Sequence, residues 1–136
     1  MHRPRSNTAR SALELLEKRQ LLAGINVADF GAIPDDGQDD SAAINAAIRA
    51  SRAGDTINVG PGTYDLHSTV QVRSNREYKG WNATLKRHGN DFAMATTGHN
   101  YNIIITSLTF DGGGFVVAGE RTGEAILIRD STFKNI

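Results

Sequence analysis

Between Phe30 and Ile48 the chain reads FGAIPDDGQDDSAAINAAI, with Asp35, Asp36, Asp39 and Asp40 inside six positions. Carboxylates this close together could hold a hard cation or supply an acid and a base. A calcium loop of the helix-loop-helix kind needs Gly at its sixth position and Glu at its twelfth. Counted from Asp35, those positions hold Asp40 and Ala46; counted from Asp36, the twelfth is Ala47. Neither register works. The cluster instead precedes SAAINAAIRASRA, a strong helix pattern. Asp39 or Asp40 is therefore placed to cap that helix by accepting from its free N–H groups. Both charges also suit the positive end of the helix dipole. Asp36-Gly37 suits a tight turn. No Glu or Gln occupies the third helical position, so the expectation is a simple cap without the reciprocal capping box.

The other candidates for chemistry are scattered. A glycosidase needs two carboxylates roughly 5–10 Å apart. Asp111 and Asp130 are the obvious pair, but their offset along neighbouring strands is about 13 Å, and each suits a turn or a bend. His88 and His99 have no second ligand at metal spacing. Arg87 and Arg129 are cations that could face a groove. Trp81 and Tyr78 flank Lys79-Gly80 and offer either a sugar platform or simple packing area. Asp111-Gly112-Gly113-Gly114 precedes a strand pattern, not a helix, so it is no dinucleotide loop. No catalytic residue, no metal ligand and no cofactor site is assigned from the sequence.

Composition narrows the class. The chain has 136 residues, 39% of them hydrophobic, enough for one domain with a modest core. Fifteen basic and fifteen acidic side chains cancel, so nothing global points to nucleic acid or an anionic membrane. Within residues 1–22, Arg3, Arg5, Arg10, Lys18 and Arg19 outweigh Glu14 and Glu17, a net +3, which leaves −3 for the rest. The absence of cysteine excludes disulfides, zinc–thiolate sites and a thiol nucleophile. No apolar run is long enough to span a membrane. The basic N-terminus is not followed by the apolar core of a conventional signal peptide.

Three regions position these residues. Residues 1–24 form a basic, then leucine-rich arm, in which Leu13, Leu16 and Leu21 could line an amphipathic helix ended by Gly24. Residues 25–55 read as strand, loop and helix, with Ile44 and Ile48 on the apolar stripe and Gly54 as the C-terminal stop of a Ser41–Ala53 helix. Residues 56–136 hold short β-rich runs separated by Gly, Asn and Asp: Thr56–Val59, Thr69–Val72, Ala83–Leu85, Asn102–Phe110 and Ala125–Phe133. Near the end, IITSLTFDG and LIRDSTFKN align with an offset of 23 residues. Ile105 then falls on Ile128, Thr109 on Thr132 and Phe110 on Phe133. The alternation Ile103, Ile105 slips by one residue at Thr106-Ser107 before Leu108, Phe110. A slip with no hairpin signal implies a bend that keeps both halves facing one core. Asp130 takes the place of Ser107 at the second bend. The period suits one turn of a parallel β-helix.

The stretch INVADFGAIPDDGQDDSAAINAAIRASRAGDTINVGPGTYDL closely resembles the opening segment of pectate-lyase-like right-handed β-helix proteins, the group of polygalacturonases, rhamnogalacturonases and epimerase-like proteins. The shared positions are Val27, Asp29 to Ala32, Asp36-Gly37, Asp39 to Ser41, Ala43-Ile44, Gly54, Pro61, Gly62 and Tyr64. The resemblance implies a right-handed parallel β-helix of about three to four rungs, with the helix plugging its first open end. It also implies action on an acidic polysaccharide such as pectin, by hydrolysis, β-elimination or epimerisation. The same openings occur in tail spikes, as trimeric fibres, and in non-catalytic surface and adhesion proteins. The Asn-Thr-Asp, Gly-Asp-Asp and Gly-His-Gly contexts of the family's hydrolases are missing here. LEKRQLL, residues 16–22, resembles a Leu-Glu-x-Arg-x-Leu-Leu motif that precedes many large extracellular bacterial proteins, which implies export or surface attachment. Phe133-Lys134-Asn135-Ile136 lies inside a strand pattern, so the expectation is an incomplete helix whose open end needs further rungs or another subunit.

Overall fold

A computed structural model describes residues 24–96, 102–117 and 126–136. The arm helix expected before Gly24, the motif at residues 16–22 and His99 lie outside these residues.

The described elements are β1 (Ile25–Asn26), a 3-10 turn (Val27–Phe30), α1 (Ser41–Ala50), β2 (Thr56–Val59), β3 (Gly62–Leu66), β4 (Val70–Gln71), β5 (Arg76–Arg87), β6 (Met94–Thr96), β7 (Ile103–Asp111), β8 (Phe115–Val117), β9 (Ile126–Arg129) and β10 (Thr132–Lys134). Every strand pairing among them is parallel. The strands stack in three columns. Column one runs β1, β2, the first half of β5, the first half of β7, and β9. Column two runs β3, the second halves of β5 and β7, and β10. Column three is β4, β6 and β8. A chain that returns to each column in the same direction coils around one core, the architecture of a parallel β-helix.

The 23-residue repeat is the register of the last two coils: Ile105 on Ile128, Thr109 on Thr132, Phe110 on Phe133. The two phenylalanine rings stack with centroids 4.9 Å apart and planes 6° from parallel. The spacing is not uniform. Along column one, Ile57, Tyr78, Ile105 and Ile128 succeed each other after 21, 27 and 23 residues.

The bend at Ser107 is also present. Ser107 (φ 58) and Asp130 (φ 52) adopt the left-handed conformation at equivalent places. Each turns the chain by one residue, so Ile103, Ile105, Leu108 and Phe110 all reach the interior and are fully buried. Short polar side chains tolerate this conformation best after glycine. A second left-handed column opens column one: Asn75 (φ 60) and Asn102 (φ 54), with the Asn102 amide donating to the Asn75 side-chain oxygen at 3.0 Å.

The helix α1 ends at Ala50, three residues before the expected Ala53. Ser51 ends it: its N–H and its hydroxyl both donate to the Ile48 carbonyl, and its backbone is extended. Gly54 serves the next turn instead, donating its N–H to the Asn75 carbonyl at 2.6 Å. The amphipathic stripe is as expected. Ile44, Ala47 and Ile48 are buried in the same cluster as Val27, Val59, Leu66 and Val70.

At the other end, stacking partners differ sharply in exposure. Phe110 and Ile105 are 0% exposed, whereas Phe133 and Ile128 are 43% and 37% exposed. Phe110→Ala is therefore expected to cost about 3–5 kcal/mol, as for a deeply buried aromatic, and Phe133→Ala less than about 1 kcal/mol. Urea denaturation midpoints of the two variants check the contrast; equal losses would contradict it.

Candidate functional site

The aspartate cluster is architecture, though not the simple cap expected. Asp40 holds the N-cap position of α1 but makes no side-chain cap bond. Its carboxylate turns back and accepts the Ile33 N–H at 3.1 Å, and its second oxygen is buried without a partner. Asp39 takes over, accepting the Ser41 N–H at 2.9 Å, the Ser41 hydroxyl at 2.6 Å and the His67 N–H at 3.1 Å. The Ser41 hydroxyl oxygen in turn accepts the N–H groups of His67 and Ser68. One carboxylate and one hydroxyl thus tie the start of the helix to the corner between β3 and β4. Asp35 (φ 62) accepts the Thr63 N–H, and Asp36 the Gln38 N–H, closing the turn expected at Asp36-Gly37.

Burial works to raise the Asp39 carboxyl, but its hydrogen bonds from Ser41 and His67 win and hold it below the ordinary aspartate value. At Asp40 burial dominates, with help from Asp36 and Asp65, and pushes the carboxyl up. The signs follow. Asp39, depressed on folding, contributes stability that is lost as pH falls through its lowered value. Asp40, raised on folding, weakens the fold at neutral pH and weakens it less as pH falls through its raised value. Relative to the parent chain, Asp39→Asn should therefore improve on acidification and Asp40→Asn should worsen. Thermal midpoints between neutral and acid pH read the two slopes; slopes of one sign would contradict the assignment.

A histidine pair lies beside this clamp. The His88 Nε2 sits 2.7 Å from Asp65 Oδ1, and the His67 and His88 rings stack at 4.6 Å. The signal in the sequence is the 21-residue offset between the two histidines, one coil apart. A histidine–carboxylate pair is acid–base machinery only with a substrate group to serve. Here the Asp65 backbone carbonyl also accepts the Asp40 N–H, and the ring stack closes the corner. Among the described residues, no group of three His, Cys, Asp or Glu side chains is arranged to hold a metal.

The other expected candidates separate. Tyr78 is 1% exposed and bonds the Arg73 backbone through its hydroxyl, whose pKa burial pushes up to about 12; it is packing. Arg87 is committed to the carbonyls of Leu66, His88 and Phe92. Asp111 accepts the Asn135 amide at 2.7 Å, and Asp130 shapes its bend. The two carboxylates stabilise different turns and do not form a pair.

What remains is the outer face of column one. Thr56, Glu77, Ile104 and Leu127 form one row on the side away from the core, and Asn58, Lys79, Thr106 and Arg129 the next, in which Asn58 and Thr106 are buried. Glu77 accepts the Thr106 hydroxyl at 3.0 Å. A shallow groove of about 530 Å³ runs along one edge, lined by Asp55, Thr56, Asn75, Glu77, Asn102 and Ile104 among others. At the opposite edge, β5 bulges between Lys79 and Ala83. Trp81 stands out from this bulge, with the Lys79 ammonium 5.3 Å over its ring. Gly80 makes the bulge possible: a Cβ there would lie 2.6 Å from the Ser107 carbonyl oxygen and 2.7 Å from Leu108 Cδ2. Gly80→Ala should cost about 1–3 kcal/mol through overpacking and move Trp81, read together as a lower melting temperature and a shifted emission maximum of the sole tryptophan.

Comparison with known proteins fits this geometry. The family model Rhamnogalacturonase A/epimerase, pectate lyase-like matches residues 24–89, from the start of β1 to the end of β5. Among solved structures, the family 28 exopolygalacturonase of Yersinia enterocolitica is 21% identical over 65% of this chain and 20% of its own, with a TM-score of 0.56. The ORF18 protein of Geobacillus virus E2 is 17% identical over 86% of this chain and 26% of its own, TM-score 0.62. PfbA, a surface adhesin of Streptococcus pneumoniae, is 18% identical over 81% of this chain and 38% of its own, TM-score 0.62. No curated protein matches the sequence. The chain therefore spans between 20% and 38% of the length of these structures, and at such identities the likeness is one of fold.

Proposed function

Starting from a chain that belongs to the pectate-lyase-like right-handed β-helix superfamily, we propose that it is the opening module of an extracellular or cell-surface protein acting on acidic polysaccharide, as a hydrolase, lyase or epimerase. The observation that carries this reading is the family match over residues 24–89, which includes the aspartate clamp, α1 and the first stacked strands. In this reading α1 is the plug of the first coil, with Ile44 and Ile48 covering apolar positions that no earlier strand among the described residues covers. At the far end, Leu127, Ile128, Phe133 and Ile136 expose apolar surface beside the open edges of β9 and β10. Their register with β7 makes this face a template for one more coil of the same kind. The chemistry then belongs to coils stacked beyond it, because Asp111 and Asp130 are spent on turns.

A second reading, a non-catalytic surface β-helix, is favoured by the absence of any paired carboxylate site among the described residues and by the fold likeness to PfbA. Among the described residues, no helix is long and apolar enough to cross a membrane, which is compatible with either. Incubation with polygalacturonate separates them. The chain by itself is expected to be inert, whereas a natural form carrying further coils should release reducing ends or unsaturated product. A longer form that binds polysaccharide or cells and leaves polygalacturonate intact would replace the first reading by the second.

A further inference from the structure

We infer that the coil end formed by β9 and β10 is an interface with a second copy of this chain, which docks head to head across a two-fold axis through the bend at Asp130-Ser131. This inference stands apart from the polysaccharide reading: a form carrying further coils would cover the same end with its own next coil.

Among the described residues, β9 and β10 each pair on one side only, with β7. Unpaired strand edges beside exposed apolar side chains are templates for association. Leu127, Phe133 and Ile136 supply those side chains, exposed by 46%, 43% and 74%. The opposite end is closed. There α1 covers the core, and the loop before it occupies the upstream edge of β3, with the Asp35 N–H donating to the Thr63 carbonyl and the Asp40 N–H to the Asp65 carbonyl. Among the described residues only the two of β1 keep a free edge on that side. Head-to-tail stacking into a filament is therefore blocked, and a closed pair of like ends remains.

The end matches itself. A two-fold axis at the bend lays β9 of one copy antiparallel on β10 of the other. Ile128 then lies opposite Phe133 of the second copy, Leu127 opposite its Lys134, and Arg129 opposite its Thr132. Because the chain slips by one residue at Asp130, both members of each pair point to the same side. Ile128 and Phe133 follow the buried Ile105 and Phe110 inward, and the other four point away from the core. The backbone agrees. The Lys134 carbonyl accepts the Gly112 N–H, toward the coil below, so Phe133 turns its own N–H and carbonyl to the free edge. In column one the Glu77 N–H likewise points back, to the Asp55 carbonyl, so Tyr78 and its register mates Ile105 and Ile128 face forward. Ile128 and Phe133 are thus set to exchange both backbone bonds, as the hydrogen-bonded pair of an antiparallel ladder. No like charges lie directly opposite each other. Sliding the copies by two residues in one direction would set Arg129 against Lys134, which disfavours that register.

Sedimentation equilibrium of the full 136-residue chain is expected to show a reversible monomer–dimer equilibrium, with a limiting mass twice 14.7 kDa. Ile128→Asp and Phe133→Lys each bury an unpaired charge in the interface and should raise the dissociation constant at least about a hundredfold. Mixed together, the two variants should recover a heterodimer. One contact then joins the introduced carboxylate to the introduced ammonium, and the other keeps Ile128 against Phe133. Both side chains are partly exposed in the single copy, and circular dichroism checks that the variants keep the fold. Hydrogen exchange of the parent chain needs no substitution: the Ile128 and Phe133 amides should slow as concentration rises, while those of Leu127 and Lys134, which face the coil below, should not. A chain that stays monomeric throughout, or that grows past two copies, would overturn the two-fold pair. A dimer that ignores both variants and leaves both amides unchanged would overturn the face. Variants that are each monomeric and fail to rescue one another would overturn the register. None of these outcomes bears on polygalacturonate cleavage by a longer form, so the proposed function stands or falls separately.

Discussion

Two parallel strands cannot be joined by a hairpin; the chain must travel around and come back. Everything else in this molecule follows from that requirement. To return in register, each coil must turn at fixed corners, and the corners fall on residues that accept left-handed backbone: Asn75 and Asn102 before column one, Asn82, Ser107 and Asp130 between columns one and two. Each such corner lets one strand face and the next point their apolar side chains at the same interior. Like residues then stack on like: isoleucine on isoleucine, phenylalanine on phenylalanine. Outside, the same register stacks Thr63, Thr84, Thr109 and Thr132 in one row, and alternates Asp65, Lys86, Asp111 and Lys134 in another. Alternation avoids the repulsion that like charges directly opposite each other would suffer.

The acidic cluster illustrates how far a suggestive composition can sit from chemistry. Its carboxylates are consumed by backbone N–H groups from Ile33, Gln38, Ser41, Thr63 and His67. They fasten a loop, a helix end and a strand corner that share no regular hydrogen-bond ladder.

The sequence was most legible where one residue type repeats at a fixed interval. Ile105 and Ile128, Phe110 and Phe133, and the bend at Ser107 could be placed from the offset alone, because stacking preserves side-chain type. It was less legible where the structure spends residues unevenly. The 27-residue interval from Tyr78 to Ile105 hides the first half of β5, and β3, β6 and β8 are too short or too glycine-rich to announce themselves. The helix end was misplaced because a serine with two bonds to one carbonyl terminates as firmly as a glycine. The choice between Asp39 and Asp40 as cap was open in the sequence because capping position and capping bond are separate properties: Asp40 holds the position, while Asp39 accepts the Ser41 N–H and the Asp40 side chain accepts from Ile33. The histidine pair was invisible for a different reason. His67 and His88 meet only when one coil lies on the next, and a 21-residue offset means nothing until the coil length is known.

The place of α1 in the chain has a consequence for how the molecule is made. Almost every strand finds its partner one coil upstream, within some 20 to 30 residues. A ribosome delivers the N-terminus first, so the helix and the strands it touches emerge before anything that depends on them. Each later coil then meets a finished surface of matching pattern and needs to close only a short loop to join it. Assembly of this kind is vectorial, resembling the growth of a crystal face from a seed that the chain itself carries.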